Sequence, residues 1–336
     1  MSEAGAATVD GGGSVRGRVW RARAGSLLQR QGALVALAAL FVFAAFRYEN
    51  FLTQENLLNV LRQNSMVGLV ALGMTFVILT GGIDLSVGSI LAVAGVVAAS
   101  LSGRGLLVAL LAGVGLAAVL GLVNGVVIAK ARIQPFIVTL AMMIAARGVA
   151  LAYTGDQSVR VERTAQDFSE LGRGRLSLGV IDLPYPVIVL FVAFALGWVV
   201  LTQTRFGRHV YALGDNEEAA RLMGLNVGRV TVGVYALSGA LAGLAGVMLT
   251  SRLGAGQPVA GIGWELDAIA AVVVGGTLLT GGQGGVGSTL VGVILLGLIF
   301  NIFNLEGQIT PWWQLVFRGI ILLAVVVVQN RLSRRK

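Results

Sequence analysis

Apolar stretches of about 15 to 24 residues, separated by short polar segments, recur along the whole chain. A helix needs roughly 20 such residues to cross a bilayer. The pattern predicts an all-α polytopic membrane protein with about ten spans, near residues 33–46, 66–80, 86–102, 106–129, 135–153, 185–202, 231–250, 265–280, 286–303 and 312–329. The runs are continuous rather than alternating, which excludes a membrane β-barrel. Phe51 to Asn64 is amphipathic, and either lies on the outer surface or extends the second span. Two polar segments are long enough to act by themselves, 154–184 and 203–230.

Composition agrees: 56% of residues are hydrophobic and only 12% charged, with a mean hydropathy of +0.84. No soluble domain of this length has that balance. The net charge of +9 would suit nucleic acid, but its placement does not. Arg16, Arg18, Arg21, Arg23 and Arg30 precede the first span, Arg205, Arg208, Arg221 and Arg229 follow the sixth, and Arg331, Arg334, Arg335 and Lys336 follow the tenth. This is an orientation signal that sets both termini and 203–230 in the cytoplasm. Residues 1–32 then form a disordered basic cytoplasmic tail, 33–330 a single membrane domain and 331–336 a second basic tail. Residues 1–25 have no apolar core and predict no cleavable signal peptide. The external segment 154–184 carries mixed charge, among it Asp156, Arg160, Glu162, Arg163, Asp167 and Arg173; it is a solvated loop or a docking surface.

Several chemistries are excluded. Cysteine is absent and His209 is the single histidine, which removes thiol catalysis, disulfides and most transition-metal sites. Lys130 and Lys336 are the only lysines and neither follows glycine, so no G-x4-G-K-[ST] phosphate loop exists. An enzyme is left without a nucleophile, base or metal set.

Gly81-Gly82-Ile83-Asp84-Leu85-Ser86-Val87-Gly88-Ser89 places a carboxyl group between two apolar runs. An acid at the centre of a spanning helix costs roughly 2.5–3.5 kcal/mol on insertion scales, whereas the N-terminus of a broken helix offers free N–H groups and a favourable dipole. Two internal matches compete. Thr80-Gly81-Gly82 with Val87-Gly88-Ser89 resembles Thr280-Gly281-Gly282 with Val286-Gly287-Ser288, six spans apart. Gly82-Ile83-Asp84-Leu85 resembles Gly263-Trp264-Glu265-Leu266, and Gly121-Leu122 with Asn124 resembles Gly297-Leu298 with Asn301, both five spans apart. The second offset is the one expected of two inverted five-helix repeats. Asp84 and Glu265 then each start a helix. They either cap broken helices or join Ser86, Ser89, Asn64, Asn124 and Asn301 along a path for a polyhydroxylated solute, whose hydroxyls such groups can bond. Trp264, Trp312 and Trp313 read as interfacial anchors.

In 203–230, Asp215 and Glu218 stand in capping-box register, Glu217 and Glu218 occupy a first turn, and Gly224 supplies a stop. This predicts a helix of about two turns, with Ala219, Leu222 and Met223 forming an apolar face. A helix that short needs a surface to hold it, either its own protein or a socket on a cytoplasmic partner.

Glu218-Ala219-Ala220-Arg221-Leu222-Met223-Gly224 resembles the coupling-loop motif of the permeases of ABC importers, Glu-Ala-Ala followed after three residues by Gly, without the Ile-x-Leu-Pro of its longer form. Gly73 to Ser89 resembles the signature of the ribose, xylose and galactose type, and the likeness runs over roughly residues 45–330. It implies a homodimeric or paired membrane subunit that passes a monosaccharide from an extracytoplasmic sugar-binding protein in the inner membrane of a bacterium. A separate cassette ATPase holds ATP and Mg, this chain binds no cofactor, and Asp215, Glu217, Glu218, Ala219, Ala220 and Gly224 form the coupling loop. An ion-coupled secondary transporter, using Asp84 and Glu265, is the alternative from another class; a branched-chain amino acid permease is the alternative within this layout.

Overall fold

The computed structural model describes residues 32–333 except 178, 180 and 308; the expected tail residues 1–31 and 334–336 lie outside the described residues. Every apolar run forms a helix. In chain order these are α1 (Gly32–Arg47), α2 (Gln54–Leu79), α3 (Val87–Ser100), α4 (Leu106–Ala131) and α5 (Pro135–Thr154), then α7 (Tyr185–Gln203), α10 (Val227–Leu253), α11 (Trp264–Val274), α12 (Val286–Glu306) and α13 (Pro311–Ser333). Six of them, α2, α4, α5, α7, α10 and α12, are long and apolar enough to cross a membrane. The chain is thus a helical, polytopic membrane protein.

Boundaries are informative at two places. Of the two alternatives for Phe51–Asn64, the structure has the extension of the second span: Thr53 caps α2 by accepting from the Asn56 N–H, and one helix runs on to Leu79. The spans expected at 86–102 and 265–280 shrink to helices of 14 and 11 residues. At about 1.5 Å per residue neither can cross a bilayer alone. Each is preceded by irregular chain, 80–86 and 257–263, where Gly81, Gly261 and Gly263 take positive φ and Pro258 cannot donate to a helix.

The core is built on two long helices. α2, buried at nearly every position from Ser65 to Leu79, packs on α11 and α12, whereas α10 packs on α3 and α4, and α2 and α10 also touch each other. Small residues allow the closest contact: a Cβ added at Gly121 of α4 would lie 2.2 Å from the Tyr235 carbonyl oxygen of α10, so those backbones meet directly.

The segment 154–184 is folded rather than loose. It holds β1 (Val159–Arg160), α6 (Gln166–Arg173), β2 (Arg175–Ser177) and β3 (Asp182–Pro184); β2 and β3 form a hairpin. β1 pairs antiparallel with β4 (Ala255–Gly256), just after α10. Phe168 is fully buried, the Gly172 N–H donates to Ser251 Oγ at 2.7 Å, and Ser251 Oγ donates to the Phe168 carbonyl. These contacts fasten the segment to the end of α10.

Candidate functional site

α2 ends at Leu79 and α3 begins at Val87, and Asp84 lies fully buried in the unwound chain between them. Its Oδ1 accepts from the Ser86 N–H at 3.0 Å and from Ser86 Oγ at 2.5 Å. Oδ2 accepts from Ser238 Oγ of α10 at 2.9 Å. Asn124 of α4 donates Nδ2 to Ser86 Oγ at 2.9 Å, Ser89 Oγ donates to the Ser86 carbonyl at 2.9 Å, and Thr139 of α5 donates to the Ile83 carbonyl at 3.2 Å. One broken turn is therefore tied to four helices. Asp84, Ser86, Ser89 and Asn124, all expected near a path, form a sealed cluster.

Glu265 sits in the first turn of α11, with Gly263 as N-cap. A Cβ built on Gly88 would fall 2.2 Å from the Gly261 carbonyl oxygen and 2.7 Å from Glu265 Oε2. The two acid-bearing breaks thus abut, through Gly88 on one side and 261–265 on the other. Arg147 of α5 braces this turn, donating to the carbonyls of Pro258 and Ala260.

Asn64 and Asn301 belong elsewhere. They line a cavity of about 250 Å³ between α2, α11, α12 and α13, together with Trp264, Asp267, Asn304 and Arg318. Asn301 exchanges hydrogen bonds with Asn56 at 2.8 and 3.3 Å, and Asn64 Nδ2 donates to the Val60 carbonyl at 2.7 Å. Arg318 of α13 donates Nη1 to both carboxyl oxygens of Asp267, at 2.6 and 2.5 Å, and its guanidinium lies 4.3 Å from the centre of the Phe300 ring. Asp267 and Arg318 carry little signal in the sequence: an acid two residues beyond Glu265 and an arginine inside an apolar run. Trp312 and Trp313 are exposed, but Trp264, grouped with them as an anchor, lines the cavity.

In 203–230 the structure has two helices, α8 (Arg205–Asp215) and α9 (Glu217–Leu222). The capping residue is corrected by one position. Asp215 ends α8, and Asn216 caps α9 by accepting from the Ala219 N–H at 2.9 Å. An amphipathic α8, with Val210 and Leu213 buried, extends far enough to claim Asp215, and the next side chain that can accept takes over the cap. Glu217 and Glu218 do occupy the first turn. Gly224, at φ 84°, ends the helix while the Leu225 N–H reaches back to the Ala220 carbonyl. The expected apolar face is largely uncovered: Ala219 is half-buried and Leu222 and Met223 are 84% and 76% exposed, whereas Ala220 beside them is buried.

The C-terminal end of α8 meets the pair of Thr-Gly-Gly segments. The Gly282 N–H donates to the Leu79 carbonyl at 3.0 Å. A Cβ on Gly214 would lie 1.7 Å from that same oxygen, and one on Gly281 would lie 2.9 Å from the Gly81 nitrogen. Tyr211 of α8 donates its hydroxyl to the Gly284 carbonyl at 2.8 Å, and burial raises its pKa above the usual phenol value. Three backbones therefore meet at Gly214, and the more conspicuous internal match marks a contact between distant turns.

A family model described as the permease component of a branched-chain amino acid transport system matches residues 56–326. The chain belongs to this permease family. It is 46% identical to the ribose import permease protein of Escherichia coli strain K12 over 308 residues, covering 90% of this chain and 94% of that protein. Identity to the ribose import permease protein of Bacillus subtilis strain 168 is 44%, covering 91% of this chain and 94% of that one. An L-arabinose ABC transporter permease protein of Azospirillum brasilense is 38% identical, with 96% and 92% covered. No solved structure matches the permease.

Proposed function

We propose that this permease is the membrane subunit of an ATP-driven importer of a monosaccharide of the ribose type. The identity with the ribose import permease proteins supports the substrate class. The observation that carries the mechanism is α9, whose Leu222 and Met223 stand clear of the protein while α8 behind it is locked to both glycine turns. An exposed apolar tip on a short, braced helix is a ball for a socket, and the socket belongs to a partner ATPase, where ATP and Mg are held.

In this reading the ten helices are two inverted repeats of five. The reciprocal packing of α2 on α11 and α12 and of α10 on α3 and α4 supports it, as does the meeting of the two acid-bearing breaks. Both termini and α8–α9 face the cytoplasm. The folded segment 154–184 then faces outward, where a sugar-binding protein docks, and two copies of the permease pair. Closure of the ATPase displaces α9, and the junction at Gly214 passes the displacement to 80–86 and 275–285. Asp84, Ser86, Ser89 and Asn124 hold one of these segments to its neighbours, and Glu265 sits at the break of the other half. Asn64 and Asn301 lie on the solute's route.

The test is at Gly224. Proline cannot take φ 84° and loses the N–H that donates to the Arg221 carbonyl. Gly224→Pro is expected to lower ATP-dependent uptake of labelled ribose about tenfold or more, roughly 1.4 kcal/mol or more in coupling, with the permease still present in the membrane. Charge reversal at Glu217 and Glu218 should act likewise, since the exposed Glu217–Arg221 pair at 2.7 Å adds little to the fold. Full uptake by both variants would remove the coupling role.

A further inference from the structure

The cavity between α2, α11, α12 and α13 has chemistry that the packing of these helices does not require. Asp267 and Arg318 form an ion pair across it, with Gln63, Asn64, Asn304 and Gln314 around them. Its volume, about 250 Å³, falls just below the roughly 300–1,000 Å³ of pockets that take drug-sized ligands. That suits one sugar ring better than a disaccharide or a peptide. Arg318 Nε is buried and has no acceptor among the described residues, a costly state for a donor unless a guest supplies the oxygen.

We propose that this cavity is a transient binding subsite for a single monosaccharide, with Asp267 accepting from its hydroxyls, Arg318 donating to them and the amides completing the contacts. The inference rests on the importer reading above and adds the place where the solute pauses. Side-chain amides each carry donors and an acceptor, so they match hydroxyls in either sense. A branched apolar side chain would instead meet mostly polar walls. The pair bridges α11 and α13 and neutralises itself when the cavity is empty, so its charges need no guest to remain at this depth. A guest that borrows one partner also loosens the attachment of α13, which suits a pause on a route better than a tight site.

The absence of cysteine makes the test clean. Gln63→Cys and Asn304→Cys place single thiols at exposed positions of the cavity, and Val259→Cys, 48% exposed and outside it, is the control. Each variant is assembled with the partner ATPase and binding protein in membranes and treated with a small, membrane-permeant methanethiosulfonate. D-ribose with ATP is expected to slow labelling at 63 and 304 several-fold and leave 259 unchanged, and complete labelling at 63 or 304 should abolish ribose uptake. Full uptake after complete labelling at both positions overturns the subsite alone, as does protection by leucine instead of ribose. If the unlabelled parent fails to import ribose under ATP, the importer reading falls and the subsite with it.

Discussion

Replacing Gly214 with alanine is expected to abolish uptake and lower thermal stability, although it adds one methyl group. The new Cβ would lie 1.7 Å from the Leu79 carbonyl oxygen and 2.6 Å from the Gly282 nitrogen. Both are main-chain atoms, so no side chain can swing aside. The hydrogen bond from Gly282 to Leu79, at 3.0 Å, must break or α8 must lift. Overpacking costs typically about 1–3 kcal/mol, and here the loss falls where α8 meets both glycine turns. Gly287→Ala is the matched control, because a Cβ there meets nothing within 4 Å and alanine favours the helix. Ribose uptake and the unfolding temperature of the purified permease read both variants. If Gly214→Ala behaves as Gly287→Ala does, the junction has no part in coupling.

Asp84→Ala should destabilise the fold, by about 3 kcal/mol or more, since each buried donor left without an acceptor costs roughly 1–3 kcal/mol. The Ser86 N–H, Ser86 Oγ and Ser238 Oγ all lose their acceptor. Asp84→Asn keeps Oδ1 for Ser86, and the Ser238 hydroxyl can turn to accept from the new amide, so its loss should be near 1 kcal/mol. The expected order is therefore wild type, asparagine, alanine, in both unfolding temperature and amount of permease in the membrane, with uptake following the amount. Uptake lost in Asp84→Asn at unchanged stability would mean that the carboxyl group meets the solute rather than holding a helix end.

The apolar runs made the helices legible because a bilayer requires every backbone group to bond within its own segment. Span length was less legible. Residues 275–280 fall inside the expected span, yet α11 ends at Val274, since Gly275 and Gly276 follow it and Gly276 takes φ 105°, a conformation that leaves the helix. The cap of α9 moved from Asp215 to Asn216 for a related reason. Local spacing suits either residue, and the burial of Val210 and Leu213 under α8 settles which one is free.

By itself the sequence determined the class of molecule, the two acid-bearing breaks and the short acidic helix start at Glu217 and Glu218, because composition and spacing carry that information locally. Tertiary structure alone decided which groups share a space. It sealed Asp84 with Ser86, Asn124 and Ser238, set Asn64 and Asn301 in another cavity beside Asp267 and Arg318, and brought Gly81, Gly214 and Gly281 together from three distant parts of the chain. Those associations depend on how α2 packs on α11 and α12 and α10 on α3 and α4, and packing between residues far apart in sequence leaves no periodic mark on either one.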